Sequence, residues 1–204
     1  GRIHDKGLLI LTAFLNGVFG QKKQLSMSAS ITFEQSYGDI DGDSASSTEL
    51  YAILSSLSGY PINQGIAVTG SVNQFGEVQP IGAVTEKIEG YYEICKVRGF
   101  KGDQGVIIPK SNVKNLTLNH EILDAVQEGK FHIYAVSRIE EGIEILTGVP
   151  VGKMKKDGTY PKGTVYGAVE KKLEELDEQA KDKKSNTKKE KSSVNRKNDD
   201  NNNS

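Results

Sequence analysis

Apolar and polar positions change period several times along the chain, and each change predicts an element. Leu25–Tyr37 (LSMSASITFEQSY) sets Ser26, Ser28, Ser30 and Thr32 against Met27, Ala29, Ile31 and Phe33. Period two of this kind predicts a strand with one buried face. Upstream, the apolar run Gly7–Leu15 (GLLILTAFL) reads as a strand, with another around Arg2–His4. After a loop over Gly38–Asp43, Leu50, Ile53, Leu54 and Leu57 recur at helical spacing until Gly59 and Pro61 stop the run. A helix should therefore begin near Ser44–Ser47.

Gly65–Val72 (GIAVTGSV) reads as a strand, Asn73–Gly76 as a turn and Glu77–Pro80 as a short partner, together a hairpin. From Thr85, the positions Ile88, Tyr91, Tyr92 and Cys95 fit a helix ended by Gly99. Val106–Ile108 is a buried strand closed by Pro109, Asn119–Gln127 a short helix, and Phe131–Val136 a further strand. From Arg138, Ile139, Ile143 and Leu146 share one helical face. Thr147–Gly163 is rich in Gly, Pro and Lys and loops outward. Val165–Ala180 is a helix packed at the domain edge or on a neighbour. Interleaved strands, hairpins and packed helices predict an α+β fold class.

Composition changes this picture mainly at the C-terminus. Of the 204 residues, 36% are hydrophobic, enough for one substantial domain. Gly167 is the last of 22 glycines. From Lys181 onward there are eight basic residues against four acidic ones, and Val194 alone is apolar. Such a segment cannot bury enough surface to offset its ordering entropy. The expected organisation is a folded domain over 1–180 and a disordered, lysine- and asparagine-rich tail over 181–204. The tail has no aromatic residue on which a base could stack, which disfavours a nucleic-acid-binding arm. Cys95 is the single cysteine, so neither an intrachain disulfide nor a thiolate metal cluster is available. Its helical setting near Tyr91 and Tyr92 suits a buried structural thiol. Gly7–Phe19 is too short and too polar at Asn16 for a membrane span. A soluble, reducing compartment is the expectation. The chain opens with GRIHDKG, without an initiating methionine, and reads as a piece of a longer product.

Few residues invite chemistry. His4, His120 and His132 share no metal-ligand spacing, and neither GxSxG nor a phosphate loop is present. Ser111 and Lys114 (SNVK) match the short SxxK pattern of penicillin-binding acyl enzymes, but the companion SDN and KTG motifs are missing. A turn cap after Pro109 accounts for SNVK better. Asp41–Thr48 (DGDSASST) can be read in two ways. As a helix cap, Ser46 and Glu49 have the spacing of a capping box. As a nucleophile site, a serine there sits beside unpaired first-turn amides, whose field favours an oxyanion. Such a serine needs a base, and with no suitable histidine that base is a lysine. An exposed lysine titrates near 10.4, and burial lowers that value. Lys87, flanked by Val84 and Ile88 after a Gly-Ala turn, is the lysine most open to burial.

Two motifs in order carry a resemblance. Asp41–Ser46 (DGDSAS) resembles the nucleophile motif of the proteolytic domain of Lon-type ATP-dependent proteases, in the subgroup reading GDSAS. Thr69-Gly70 followed by Gly76–Ile88 (GEVQPIGAVTEKI) resembles the family's lysine region, and Gly105–Asn112 (GVIIPKSN) its downstream segment. The resemblance covers roughly Gly1–Val149. It implies a Lon-like α+β domain in which Ser44 is the nucleophile, Lys87 the general base and Thr69 the residue that orients the lysine amine. Asp43 matches an acidic position of the subgroup, bearing on the lysine or on an inactive arrangement. The resemblance also implies an AAA+ ATPase module ahead of this domain, a homohexameric ring, and unfolded or damaged proteins as substrates in the cytoplasm. No cofactor belongs to this domain, and ATP with Mg is expected only for the ATPase module. One departure is Gly82-Ala83 in place of the usual Gly-Gly, which matters if that backbone needs positive φ. The rival expectation is a non-catalytic assembly or peptide-binding module of the same fold.

Overall fold

A computed structural model describes residues 2–21, 25, 27–32 and 42–181, with side chains in the first helix from Lys6 onward. Of the expected tail over 181–204, Lys181 is the last residue of a helix and the rest lies outside the described residues. Helices α1 (Arg2–Phe19) and α2 (Ser46–Ser58) come first. Strands β1 (Ile66–Val68), β2 (Ser71–Val72) and β3 (Val78–Gln79) follow, then α3 (Val84–Arg98), β4 (Gly105–Pro109) and a 3-10 turn over Lys110–Asn115. Next come α4 (His120–Gln127), β5 (His132–Val136) and α5 (Ile139–Thr147). A last helix, α6, runs over 165–181.

The main sheet is parallel with order β1-β4-β5, and pairs Ile66 with Gly105 and Gly105 with His132. β4 is buried along all five residues, which is why its sequence GVIIP is a continuous apolar run. Its side chains alternate between two cores. Ile107 joins Leu11, Leu50, Leu54, Ile139, Val165 and other residues of α1, α2, α5 and α6. Val106 and Ile108 join Val84, Ile88, Tyr92, Cys95 and Ile122 of α3 and α4. Helices thus cover both faces, giving the mixed α and β class that the sequence predicts. α6 belongs to the first core, with Val165 and Val169 fully buried, rather than standing at its edge.

Three expectations fail in the described residues. Arg2–His4 and Gly7–Leu15 are helix, not strand. Gly7, Leu11, Phe14 and Leu15 are the buried positions, a helical stripe laid against α2. The unbroken run GLLILTAFL hides that stripe because Leu8 and Leu9 are apolar yet exposed. Residues 27–32 of the expected Leu25–Tyr37 strand carry no strand pairing among the described residues, and 33–37 lie outside them. Gly65–Val72 is two strands, because Thr69 and Gly70 turn away from the parallel sheet to start the hairpin. The hairpin itself forms, with Ser71 opposite Gln79. Its turn is built by Asn73, whose Oδ1 accepts from the Phe75 and Glu77 N–H groups. Among the described residues, no helix is long and apolar enough to cross a membrane.

Candidate active site

The start of α2 is fastened to the segment between β1 and β2. The Gly70 N–H donates to the Ser44 carbonyl at 2.8 Å, and the Ser47 hydroxyl donates to the Gly70 carbonyl at 2.8 Å. The Val72 N–H donates to Ser46 Oγ at 3.1 Å. Ser71 Oγ donates to Asp43 Oδ2 at 2.9 Å. Gly70 permits this close approach, since a Cβ there would lie 3.2 Å from Ser47 Oγ and 3.1 Å from Val78 Cγ1. Ser46, Ser47 and Ser71 are buried, and each spends its hydroxyl on this fastening. Of the serines in DGDSASST, Ser44 is the half-buried one.

Ser46 and Glu49 do not form the expected capping box. The residue at the helix boundary is Ala45, without a side-chain cap, and Ser46 Oγ turns back to donate to the Asp43 carbonyl at 2.8 Å. Tertiary bonds to the hairpin take up the hydroxyls that a local cap would use. The Ser44 and Ala45 N–H groups, in the turn just before α2, have no acceptor among the described residues.

Lys87 lies in the first turn of α3, whose buried stripe of Val84, Ile88, Tyr92 and Cys95 fixes the helix on the sheet. Its Nζ donates to Ser44 Oγ at 3.1 Å and to Thr69 Oγ1 at 3.3 Å. Thr69 is buried, and its N–H donates to the Ile107 carbonyl at 3.1 Å, so β4 holds it in place. Three residues picked from sequence thus meet. The fourth, Asp43, adjoins Ser44 and accepts from Ser71 Oγ. Lys87 is exposed, so the burial that its apolar flanks left open in the sequence is not realised. The core-facing stripe takes Val84 and Ile88 and leaves Lys87 at its margin.

α3 is entered through Ala83 at φ +54°, ψ +38°, the single non-glycine residue with positive φ among the described residues. The Gly82-Ala83 departure therefore falls where glycine would be free of strain. Ala83→Gly is expected to stabilise the fold by about 0.5–1 kcal/mol, the relief of αL strain exceeding the added unfolded-state entropy. Urea unfolding of both proteins checks this, and a lower midpoint for the glycine variant would contradict it.

The remaining candidates lie apart. Ser111 and Lys114 are exposed on the 3-10 turn, and no hydrogen bond joins them. His120 is exposed at the start of α4, while the His132 ring bonds the Gly102 carbonyl through Nε2 at 2.8 Å. The side chain of His4 lies outside the described residues. Asn119 caps α4 by accepting from the Ile122 N–H. Cys95 is buried, and burial pushes its thiol up, away from the reactive thiolate form. Among the described residues, no group of three or more His, Cys, Asp or Glu could hold a metal. Sequence reasoning missed Ser71 and the fastening that Ser47 and Gly70 provide. A glycine interrupting a strand pattern was the available signal, since it marks close backbone approach.

Comparison with known proteins identifies a family. Residues 16–162 match the Lon protease C-terminal proteolytic domain. A protein of Escherichia coli (strain K12) named "Putative Lon protease homolog" is 51% identical over 146 residues, 72% of this chain and 25% of that protein. Its namesake in Haemophilus influenzae is 42% identical over 174 residues, 85% of this chain and 29% of that protein. An archaeal Lon protease of Archaeoglobus fulgidus is 40% identical over 119 residues, 58% of this chain and 17% of that protein. The chain spans a quarter to three tenths of the length of the two bacterial relatives. It belongs to the Lon protease family, through the C-terminal proteolytic domain.

Proposed function

We propose that this domain is a serine endopeptidase with Ser44 as nucleophile and Lys87 as general base. The observation that carries this reading is the 3.1 Å approach of Lys87 Nζ to Ser44 Oγ across 43 residues of sequence. A capping serine and a surface lysine have no reason to meet in this way, and Thr69 contacts the same amine.

In the acylation step neutral Lys87 takes the Ser44 hydroxyl proton as Oγ bonds the scissile carbonyl carbon. The Ser44 and Ala45 N–H groups are the donors nearest the developing oxyanion. The lysine ammonium then gives its proton to the leaving amine as the C–N bond breaks. Water attacks the acyl ester as its proton passes to Lys87; the ester C–O bond then breaks, the acid leaves, and the lysine ammonium returns the proton to Ser44 Oγ. Bound substrate would exclude water from the Ser44–Lys87 pair. Thr69 orients the amine. Asp43, held by Ser71, fixes the backbone on which Ser44 rides.

Family membership supports the wider proposal. The domain works with an AAA+ ATPase module that supplies ATP-driven unfolding, in a homohexamer acting on unfolded or damaged proteins in the cytoplasm. Reaction with a fluorophosphonate probe, mapped by mass spectrometry, tests the site. Modification at Ser44, lost in Lys87→Ala, is expected. Labelling at Ser111 instead would favour an SxxK acyl enzyme, and no labelling of the folded protein would favour a non-catalytic module.

A further inference from the structure

Lys87 reaches Ser44 from the first turn of α3, so the loop before that helix sets where the amine sits. One side chain grips this loop. Asn112 Oδ1 accepts from the Ile81 N–H at 3.0 Å, and Asn112 Nδ2 donates to the Ile81 carbonyl at 2.9 Å. The side-chain amide thus satisfies both backbone groups of one residue, as a neighbouring strand would. One orientation of the amide alone can do this. Asn112 is 8% exposed and is the buried residue of the 3-10 turn. Lys110, Ser111, Val113 and Lys114 around it are exposed. A buried amide in an otherwise exposed turn calls for a reason, and Ile81 supplies it.

The turn that carries Asn112 continues directly from β4. The same strand holds Thr69 through the Ile107 carbonyl. Both sides of the lysine site are therefore referenced to β4: Thr69 by a backbone bond, and the approach to α3 by Asn112. We infer that Asn112 is a positioning residue for Lys87, holding residues 80–83 so that α3 delivers the amine to Ser44. This role presupposes that Ser44 and Lys87 are the reacting pair. Misplacement of a reacting group by about 1 Å can cost on the order of 100-fold in rate.

The test is a double-mutant cycle in the intact protein with a fluorogenic peptide. Asn112→Ala is expected to lower kcat by about 10–100-fold with KM changed less than about twofold. In a Lys87→Ala background, the same substitution should cost nothing further. A residue that merely stabilises the fold would cost the same factor in both backgrounds. Asn112→Asp keeps the side-chain volume and the acceptor for Ile81 N–H, loses the donor, and stands in where Asn112→Ala does not fold. If Ser44 labels and Lys87→Ala is impaired, yet the Asn112 variants keep the parent kcat or lose activity equally in both backgrounds, the inference is overturned and the dyad stands. If Lys87→Ala retains the parent rate, the dyad itself fails and Asn112 loses its role with it.

Discussion

Lys87→Ala is expected to lower peptide hydrolysis by about 10³–10⁴-fold while the protein stays folded. The fold should survive because Lys87 is exposed and the stripe that anchors α3 consists of Val84, Ile88, Tyr92 and Cys95. What disappears is the group that accepts the Ser44 proton and returns it to the leaving amine. Lys87→Arg should be nearly as inactive, because a guanidinium keeps its proton at any working pH. That variant separates base catalysis from simple charge stabilisation. Ser44→Ala should match Lys87→Ala, and the double variant should be no worse than either, since the two residues act as one unit. Initial rates on a fluorogenic peptide, with circular dichroism as the folding control, provide the measurement. An active Lys87→Arg protein would refute the role of base.

The dyad illustrates what sequence could and could not carry. Local physics read DGDSASST as a helix start, and α2 does begin there. Choosing Ser44 from its neighbours needed the family motif, because the property that separates them is tertiary. Ser46 and Ser47 give their hydroxyls to the Asp43 and Gly70 carbonyls, partners that no periodicity announces. α3, β4 and α5 were legible because their apolar periods are clean and glycines end the two helices: Gly99 after α3 and Gly148, at φ +69°, after α5. α1 was not, because its exposed face carries leucines that mask the helical stripe. The bend at Thr69-Gly70 was also hidden. GIAVTGSV has strand composition throughout, and only the fastening of Gly70 to Ser44 and Ser47 breaks it in two. The same bend delivers Thr69 to Lys87, so the misread position is a functional one.

The helix that starts beside Ser44 is itself seated on a glycine, and filling that space should destabilise the fold. Gly142 lies buried within α5, where a Cβ would fall 1.8 Å from Tyr51 Oη and 2.5 Å from Tyr51 Cζ. Tyr51, on α2, is 1% exposed and packed on all sides, so its ring has no open direction in which to yield. Gly142→Ala gains about 1 kcal/mol of helix propensity. Overpacking a tight core costs about 1–3 kcal/mol and more where neither backbone nor ring can move, and overlap this deep belongs at that upper end. The net expectation is a loss of about 2 kcal/mol, or about 4–8 °C in Tm for a domain of this size. The hydroxyl of Tyr51 has no hydrogen-bond partner among the described residues. Tyr51→Phe should therefore be neutral or mildly stabilising, and should restore part of the loss when combined with Gly142→Ala. Displacement of α2 from α5 would also tilt the turn that presents Ser44. The alanine variant should consequently lose hydrolytic rate well below its melting temperature, and the Tyr51→Phe combination should recover rate and Tm together. Thermal unfolding of the four proteins, with peptide hydrolysis at one low temperature, gives both readings. Full parental Tm in the Gly142→Ala single variant would contradict the packing described here.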